Sequence, residues 1–199
     1  TRTGERFEQP AEVVALTSYT FNNTRLLLTS ELGTPYDPET QSGVIGKNYC
    51  YQVIVGTDGF FDDQKFNVAM GSGGLAATLD NFNADNFDHS EHDFLHGGSI
   101  LMGQYAKRPI ANNQVPPGTP RWGKEFKEQS IKYFNRHLNI YTYGACLPHV
   151  NNYLDLDPTY KDVNGYPLLR MTFDYSETDR NRGHFLNEQT KKIMQEMGA

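Results

Sequence analysis

The stretch that decides the fold covers residues 151–182 and reads NNYLDLDPTYKDVNGYPLLRMTFDYSETDRNR. Apolar and polar residues alternate over 153–156 and, for the most part, over 168–175, a period of two that is typical of half-buried strands. The Asp, Asn, Gly and Pro residues between these runs favour turns. The stretch therefore predicts a long-looped hairpin, followed by a helix that begins near Ser176 or Thr178.

The hairpin stretch also contains five aspartates. They are Asp155, Asp157, Asp162, Asp174 and Asp179. Their setting among Pro, Gly and Asn favours turn formation and helix capping over acid–base catalysis. We therefore expect the hairpin to be structural, and we expect its two strands to complete a larger sheet.

Composition narrows the class of protein. The chain has 199 residues, enough for one ordinary domain with its own core, and it contains 12 Phe and 12 Tyr. The net charge of -6 and the lack of a basic stripe in the sequence argue against nucleic acid as a partner. No apolar run approaches the roughly 20 residues of a membrane-spanning helix, and the first ten residues do not have the form of a signal peptide.

Neither the cysteines nor the histidines follow a known metal-site pattern. Cys50 and Cys146 are far apart and have no CxxC spacing, so we interpret them as buried thiols. Segment 80–96 fits neither a zinc motif nor a calcium loop, and we predict a polar loop there that leads into a strand. We assign no metal. A metal-dependent hydrolase is a weaker alternative, and its ligands would be His89, His92 and His96.

The first part of the chain predicts a strand, a tight turn and a helix. Residues 12–16 (EVVAL) form a short apolar run that is consistent with a buried strand. Asn22 or Asn23 can cap the following helix, and Gly33 can end it. Such a turn directs the first N–H groups of the helix beyond the end of the strand, which favours a phosphate.

The middle of the chain predicts further strands and one amphipathic helix. The strands are expected at 49–55, before a Gly and Asp break at 56–59, and at 96–101 and 138–147. The Gly-rich segment 70–77 matches no phosphate-binding loop and predicts close backbone packing.

We expect the amphipathic helix to begin near Thr119 or Pro120 with an aromatic face that includes Trp122, Phe126 and Tyr133. The final helix should present Phe185, Gln189, Ile193 and Met197 at intervals of four residues. Four to six strands with few helices among them predict an α+β fold, in which a mostly antiparallel sheet has helices packed on one face.

Three stretches, taken in order, carry a resemblance to a known family. They are VVALTSYTFNNTRLLLTSELG (13–33), RPIANNQVPPGTPRWGKEFK (108–127) and the hairpin stretch. In this order they resemble the glucose-methanol-choline family of flavin oxidoreductases, in particular the large flavoprotein subunits of its gluconate 2-dehydrogenase branch. Asn22 and Asn23 stand where the family pattern favours Ser or Thr followed by Pro or Ser, and Glu31 stands where it has Gly.

The resemblance implies a division of the chain. In this family a GxGxxG motif that binds FAD opens the chain, and a catalytic histidine motif lies near its carboxyl end; neither occurs here. The resemblance therefore implies that residues 1–48 are the tail of the FAD-binding domain with a crossing segment. Residues 49–199 would be a substrate-binding domain that lacks its last part. We assign no catalytic residue and expect the fragment to be inactive alone.

The resemblance also implies binding sites. The candidates for contact with a phosphate or ribose of FAD are Ser18, Asn22 and Asn23. The candidates for contact with substrate are His96, Tyr141, Tyr143 and Asn151. The main part of the FAD would be bound by regions of the parent protein that are outside this chain.

The function implied is hydride transfer to flavin from an alcohol group of a sugar or a gluconate-like sugar acid. The implied partners are the remainder of the parent flavoprotein, a small subunit and a cytochrome c subunit, in a periplasmic complex associated with the membrane. The alternative is a stand-alone carbohydrate-binding module without catalysis, in which aromatic side chains stack on sugar rings. A module of that kind has no use for the strand and helix predicted at the start of the chain.

Overall fold

The structure of the chain is a computed structural model, which describes residues 4–67, 76–103 and 114–199. The described helices and strands are, in chain order, α1 (Tyr19–Thr29), β1 (Gly56–Phe60), β2 (Ala76–Leu79), β3 (Gly98–Gly103), α2 (Lys124–Tyr133), β4 (His137–Gly144), β5 (Tyr153–Lys161), β6 (Pro167–Thr172) and α3 (Glu177–Glu196). All strand pairs are antiparallel, which confirms the α+β fold. Most of the Gly-rich segment 70–77 and the start of the Pro-rich passage lie outside the described residues.

The chain forms two compact units. Unit 1 comprises Thr1–Tyr49 and Pro148–Asp174, and unit 2 comprises Cys50–Leu147 and Tyr175–Ala199. The strands of the hairpin, β5 and β6, form a two-stranded sheet of their own within unit 1. The prediction that the hairpin completes a larger sheet is therefore wrong. Its strands pack against α1 instead. The assignment of residues 1–48 to a flavin domain stays a prediction.

Unit 2 is built on a four-stranded sheet with the order β1-β4-β3-β2. The sequence predicted the first strand at 49–55 and a break at 56–59, whereas the regular strand lies at Gly56–Phe60. The reason is close packing. A Cβ atom on Gly56 would lie 2.4 Å from the carbonyl oxygen of Ile140 on β4, so a glycine lets the two strands approach.

Helix α3 covers one face of this sheet. Its Met194 joins a buried core with Phe61, Ile100, Leu138 and Ile140. The residues of the predicted stripe, Phe185, Gln189, Ile193 and Met197, are only half-buried. The buried residues Leu186, Thr190 and Met194 each come one position after a member of this stripe. The buried residues of α3 are Asp179, Arg182, Gly183, Leu186, Thr190 and Met194. The pattern was missed because half of these residues are polar or charged.

The start of α3 follows the sequence prediction. Ser176 is the N-cap, and its hydroxyl accepts a hydrogen bond from the N–H of Asp179 at 3.1 Å. One turn into the helix, the fully buried Arg182 donates to the Asp179 carboxylate at 2.7 Å and to the carbonyls of Leu95 and Ala145. Arg182 Nη2 is buried and finds no partner among the described residues.

Helix α2 begins later than predicted. Gly123 precedes it with a φ of +94°, which is outside the helical region, so the helix starts at Lys124. Trp122 is therefore not on the helix and is 84% exposed. Tyr133, at the end of α2, is buried, and its ring packs edge-on against Phe60 with centroids 5.2 Å apart.

Unit 1 lacks the predicted first strand. Residues 12–16 are not a strand, and Val13 and Val14 are 85% and 76% exposed. A strand needs a partner, and within the described part of unit 1 none pairs with this segment. Helix α1 starts at Tyr19, with Ser18 rather than Asn22 or Asn23 at the cap position. None of its eleven residues, all of them described, is buried.

Two acids of the hairpin bond to nearby backbone N–H groups as predicted: Asp157 in the irregular part of β5 and Asp162 in the loop that follows it. Asp157 accepts hydrogen bonds from the N–H groups of Thr159 and Tyr160, and Asp162 accepts them from Asn164 and Tyr166. Two other acids have different roles. Asp155 pairs with Arg170 across the strands, and Asp179 forms the buried pair in α3.

The two cysteines differ in exposure. Cys50 is exposed, which contradicts the prediction of a buried thiol, and Cys146 is half-buried. Burial raises the pKa of the Cys146 thiol above its ordinary value, so this thiol is a weak nucleophile. In the part of the chain that the structure describes, no helix has the length and apolar character needed to cross a membrane.

Candidate functional site

The face of the four-stranded sheet opposite α3 carries polar and aromatic side chains, and we call it the polar face. Side chains alternate along a strand, so Leu138 and Ile140 of β4 point to the core. The residues between and beside them point the other way. The polar face consists of Asp58, Phe60, Thr78, Ser99, Leu101, His137, Asn139, Tyr141 and Tyr143.

Two of the predicted substrate residues meet on the polar face. The rings of Tyr141 and Tyr143 lie edge to face with centroids 5.5 Å apart, and Tyr143 is 40% exposed. Their cross-strand neighbours on β3 are Leu101 and Ser99. The Ser99 hydroxyl donates to Asp80 at 2.6 Å. The structure thus places hydroxyl groups beside apolar ring surface on this face.

A second group on the polar face was not predicted from the sequence. Asp58 Oδ1 lies 2.7 Å from His137 Nε2 and accepts a hydrogen bond from Asn139 Nδ2 at 3.1 Å. The His137 side chain is only 4% exposed, whereas the Asp58 side chain is 41% exposed. The alternation in HLNIYTYG places His137 and Asn139 on the same face as the tyrosines, and this signal could have found them.

The other two predicted substrate residues are not part of this row. His96 is exposed and lies in the turn before β3, with a φ of +64°. Asn151 belongs to unit 1, where it is exposed directly before β5 and its N–H donates to His149 Nδ1 at 3.2 Å. Their contact with substrate remains a prediction.

The residues predicted to contact a cofactor lie at the start of α1 in unit 1. Ser18 and Asn22 line a groove of about 520 Å³, together with Arg25 of α1 and Tyr166 of the hairpin loop. The side chain of Asn23 has a different role. Its Oδ1 accepts the N–H of Ser18 at 2.9 Å and its Nδ2 donates to the Leu16 carbonyl at 3.1 Å, so it closes the turn before the helix.

The start of α1 suits an anionic group. The first turn contains no acidic residue, and the Ser18 side chain does not cap the helix N–H groups. Free N–H groups and the positive end of the helix dipole both favour a phosphate. The groove also contains the Asp162 carboxylate, which pairs with Arg25 at 2.7 Å. The groups that could contact a phosphate are thus Ser18, Asn22 and the first N–H groups of α1, whereas Asn23 has both amide atoms engaged by the backbone.

Two of the three histidines of segment 80–96, His89 and His92, take part in aromatic packing. The ring of His92 stacks on Phe94 with centroids 4.9 Å apart and lies 4.8 Å from Phe185 of α3. His89 packs beside Phe87, which stacks on Phe185. Within the described ranges, no group of three or more His, Cys, Asp or Glu side chains could hold a metal ion.

Comparison with known proteins gives two relatives. No protein-family model matches the chain. It is 40% identical over 195 residues, 98% of its length, to the gluconate 2-dehydrogenase flavoprotein of Pantoea cypripedii. It is 25% identical over 187 residues, 90% of its length, to the 2-methyl-1,2-propanediol dehydrogenase of Mycolicibacterium austroafricanum. The chain spans 32% of the length of each of these curated relatives. The chain is thus related in sequence to a flavoprotein and to a dehydrogenase.

Proposed function

We propose that the chain is a segment of an FAD-dependent dehydrogenase of the glucose-methanol-choline family. The substrate is an alcohol group of a polyhydroxylated molecule, such as a sugar or a gluconate-like sugar acid. Both relatives support this proposal, because each is named for the oxidation of a molecule with several hydroxyl groups.

The observation that carries the proposal is the polar face. A sheet covered by a helix on one side and lined with Tyr, Asn, Ser and Asp side chains on the other can form one wall of a substrate site. Tyr141 and Tyr143 offer hydroxyl groups to the substrate and ring surface to its C–H groups. In this proposal the wall orients the substrate and excludes water from it.

When bound, the flavin supplies the hydride acceptor. Within this chain, Ser18 and Asn22 would contact a phosphate or ribose of FAD, and the N–H groups at the start of α1 would add hydrogen bonds. In this proposal the catalytic histidine and most of the FAD site belong to other parts of the parent protein. We therefore expect the isolated chain to be inactive.

Unit 1 exposes several apolar residues, which supports the proposal that this part of the chain packs on another part of the parent protein. Val13 and Val14 are largely exposed, and none of the described residues of α1 is buried although the helix contains Leu26, Leu27 and Leu28. In this proposal the exposed side chains of Val13, Val14 and Leu26 contact further protein. Their exposure argues against the alternative of a stand-alone carbohydrate-binding module. Residues 1–48 would pack on the remainder of the flavin-binding domain.

The proposal extends to an assembly. From the family resemblance, the partners are a small subunit and a cytochrome c subunit, in a periplasmic complex at the membrane. Co-purification of the flavoprotein with a haem-containing subunit from its native membranes tests this part of the proposal separately.

The experiment that tests the proposed function uses the full polypeptide that contains this chain. The purified protein should show the absorbance of bound flavin, and gluconate, glucitol or glucose should bleach it under anaerobic conditions. Tyr141→Phe and Tyr143→Phe should each lower kcat/KM by about 2- to 10-fold, the effect of one lost hydrogen bond. Tyr160→Phe, which changes an exposed tyrosine near the end of β5, is the matched control. A protein that binds sugar but carries no flavin would overturn the proposal.

A further inference from the structure

We infer that the outer edge of residues 53–56 binds an extended segment of the parent polypeptide, which adds to the sheet of unit 2 as a further strand. The inference rests on the proposed function in one respect, since it takes the chain to be part of a larger protein. It concerns a contact between polypeptide segments and involves neither the flavin nor the substrate.

The backbone groups of this segment point alternately toward β4 and away from it. Val53 exchanges two hydrogen bonds with Gly144 of β4, at 3.0 and 2.8 Å, and the Val55 carbonyl accepts an N–H of β4 at 2.8 Å. In an antiparallel pair, the residues between such positions direct their N–H and C=O groups to the other side. These residues are Ile54 and Gly56, and we call their outward backbone groups the open edge.

The open edge has no hydrogen-bond partner in the part of the chain that the structure describes. The Tyr175 hydroxyl donates to the carbonyl of Gln52, the preceding outward residue, at 2.8 Å. None of the described residues bonds to the outward N–H and C=O groups of Ile54 or Gly56. Two consecutive outward positions are therefore available for the ladder of a further strand.

A groove of about 460 Å³ lies beside the open edge. Its other wall is the first half of α3, which contributes the side chains of His184 and Asn187. Gly183 lets the helix pack closely on the strand segment, because a Cβ atom there would lie 3.2 Å from Val53 Cγ1. The groove thus has a strand edge on one side and polar helix side chains on the other, which suits one extended segment.

The sequence of this edge lacks the features that keep an open strand from pairing. Natural sheets protect their exposed edges with charged residues, prolines or bulges, or they cover them. Residues 52–57 read QVIVGT, without a charge or a proline, and the Ile54 side chain is 45% exposed. An apolar edge of this kind should be covered in the complete protein.

The occupant that we assign is an extended segment of the same polypeptide, outside residues 1–199. The chain spans 32% of the length of each curated relative, so in the proposed function most of the parent polypeptide lies outside it. A segment of the same polypeptide has a high effective concentration and avoids the cost of bringing two molecules together. His184 and Asn187 favour a carboxylate or amide side chain at the position that faces α3.

Hydrogen exchange in the full polypeptide tests the pairing without any substitution. The amide of Ile54 should exchange slowly, at a rate like that of Val53, whose N–H bonds to β4 at 3.0 Å. Val163 is the reference for an open amide, because it is fully exposed in the loop between β5 and β6. An Ile54 amide that exchanges as fast as that of Val163 would overturn the inference.

A photo-cross-linking amino acid in place of His184 identifies the occupant. In the full polypeptide, mass spectrometry should find the cross-link on a residue of the same polypeptide outside 1–199. Mixing isotope-labelled with unlabelled protein separates this result from a second copy. A cross-link to a second copy or to another subunit, a cross-link only within residues 1–199, or no cross-link contradicts the inference.

Ile54→Pro in the cross-linking protein tests the backbone contact itself. Proline removes the outward N–H, so the cross-link yield should fall about 10-fold, equivalent to one strong hydrogen bond. Ile54→Ala is the matched control, since it keeps the N–H and should leave the yield within about twofold. Proline is tolerated at an edge that stays open, so an unchanged yield in Ile54→Pro counts against the added strand.

The flavin decides the proposed function separately. A protein whose flavin is bleached by gluconate but whose edge has no occupant overturns the inference and leaves the proposed function standing. A protein without flavin, in which His184 cross-links to a segment outside 1–199, overturns the proposed function and leaves the inference standing.

Discussion

The two faces of β4 differ in burial although they are formed by the same eight-residue strand. One face carries Leu138, Ile140 and Thr142, which are buried under α3. The other carries Asn139 and Tyr143, which are partly or largely accessible. Because side chains alternate, neighbouring residues of a single strand serve stability on one face and, in the proposed function, ligand contact on the other. Neighbouring substitutions can therefore separate the two roles.

The largest effect is expected where α3 is anchored to the rest of unit 2. Arg182→Met leaves the Asp179 carboxylate buried without its cation and removes the hydrogen bonds to Leu95 and Ala145. Breaking a buried ion pair by removing one partner costs about 3–5 kcal/mol. We expect a loss of this size in the free energy of unfolding, measured by urea denaturation.

Arg180→Met is the matched control for this variant. It makes the same substitution at an exposed position of α3, two residues earlier in the helix. Its effect should remain within about 0.5–1 kcal/mol, as for most surface positions. If both variants lose the same stability, the buried pair is not what anchors α3.

A pH titration should remove part of the same contribution. Burial raises the pKa of Asp179, but the hydrogen bonds from Ser176, Arg182 and Leu147 outweigh it, and the net pKa lies below the ordinary value. A depressed pKa in the folded state adds stability above the unfolded pKa of about 3.9, and this stability is lost as the pH falls through the folded value.

Asp179→Asn should therefore flatten the dependence of unfolding free energy on pH below about pH 4. The measurement is urea denaturation at a series of pH values, compared with the unmodified chain. The variant should also be less stable at neutral pH, where the carboxylate of the unmodified chain is ionised. Parallel acid transitions in both proteins would show that other carboxylates control acid unfolding.

A smaller loss is expected from the core side of β4. Ile140 is fully buried, and Ile140→Val removes one methylene group from its contacts with the core under α3. Such substitutions cost about 0.5–1.5 kcal/mol. The loss should appear in the free energy of unfolding, with little change in the ratio of kcat/KM for different substrates. A change in substrate preference would mean that the two faces are coupled.

The sequence predicted the elements whose signals are local. The hairpin, β4 and the start of α3 were found because alternation, turn residues and a capping serine are read from neighbouring positions. The prediction of a strand at 12–16 is wrong because a strand depends on more than its local sequence. An apolar run has the propensity for a strand, but a strand forms only beside a partner, and the described part of unit 1 supplies none.

The parts that could not be predicted depend on contacts between distant residues. Asp58 and His137 are 79 positions apart, and only the register of β1 with β4 brings them together. The glycines of 56–59 predict a break, since the sequence does not show that β4 packs too closely for a side chain at Gly56. The polar groups on the buried side of α3 conceal its helical period.

The smallest effect on stability is expected on the polar face. Tyr143→Phe removes one hydroxyl group from a side chain that is 40% exposed, so the free energy of unfolding should change by no more than about 0.5 kcal/mol. Ile140→Val, three residues earlier on the covered face, should cost more although it too removes a single heavy atom. Urea denaturation of both variants, followed by kcat/KM in the full polypeptide, tests the comparison directly. If Tyr143→Phe destabilises the protein as much as Ile140→Val, its hydroxyl belongs to the packing of unit 2, and the division of β4 into a structural and a binding face fails at this position.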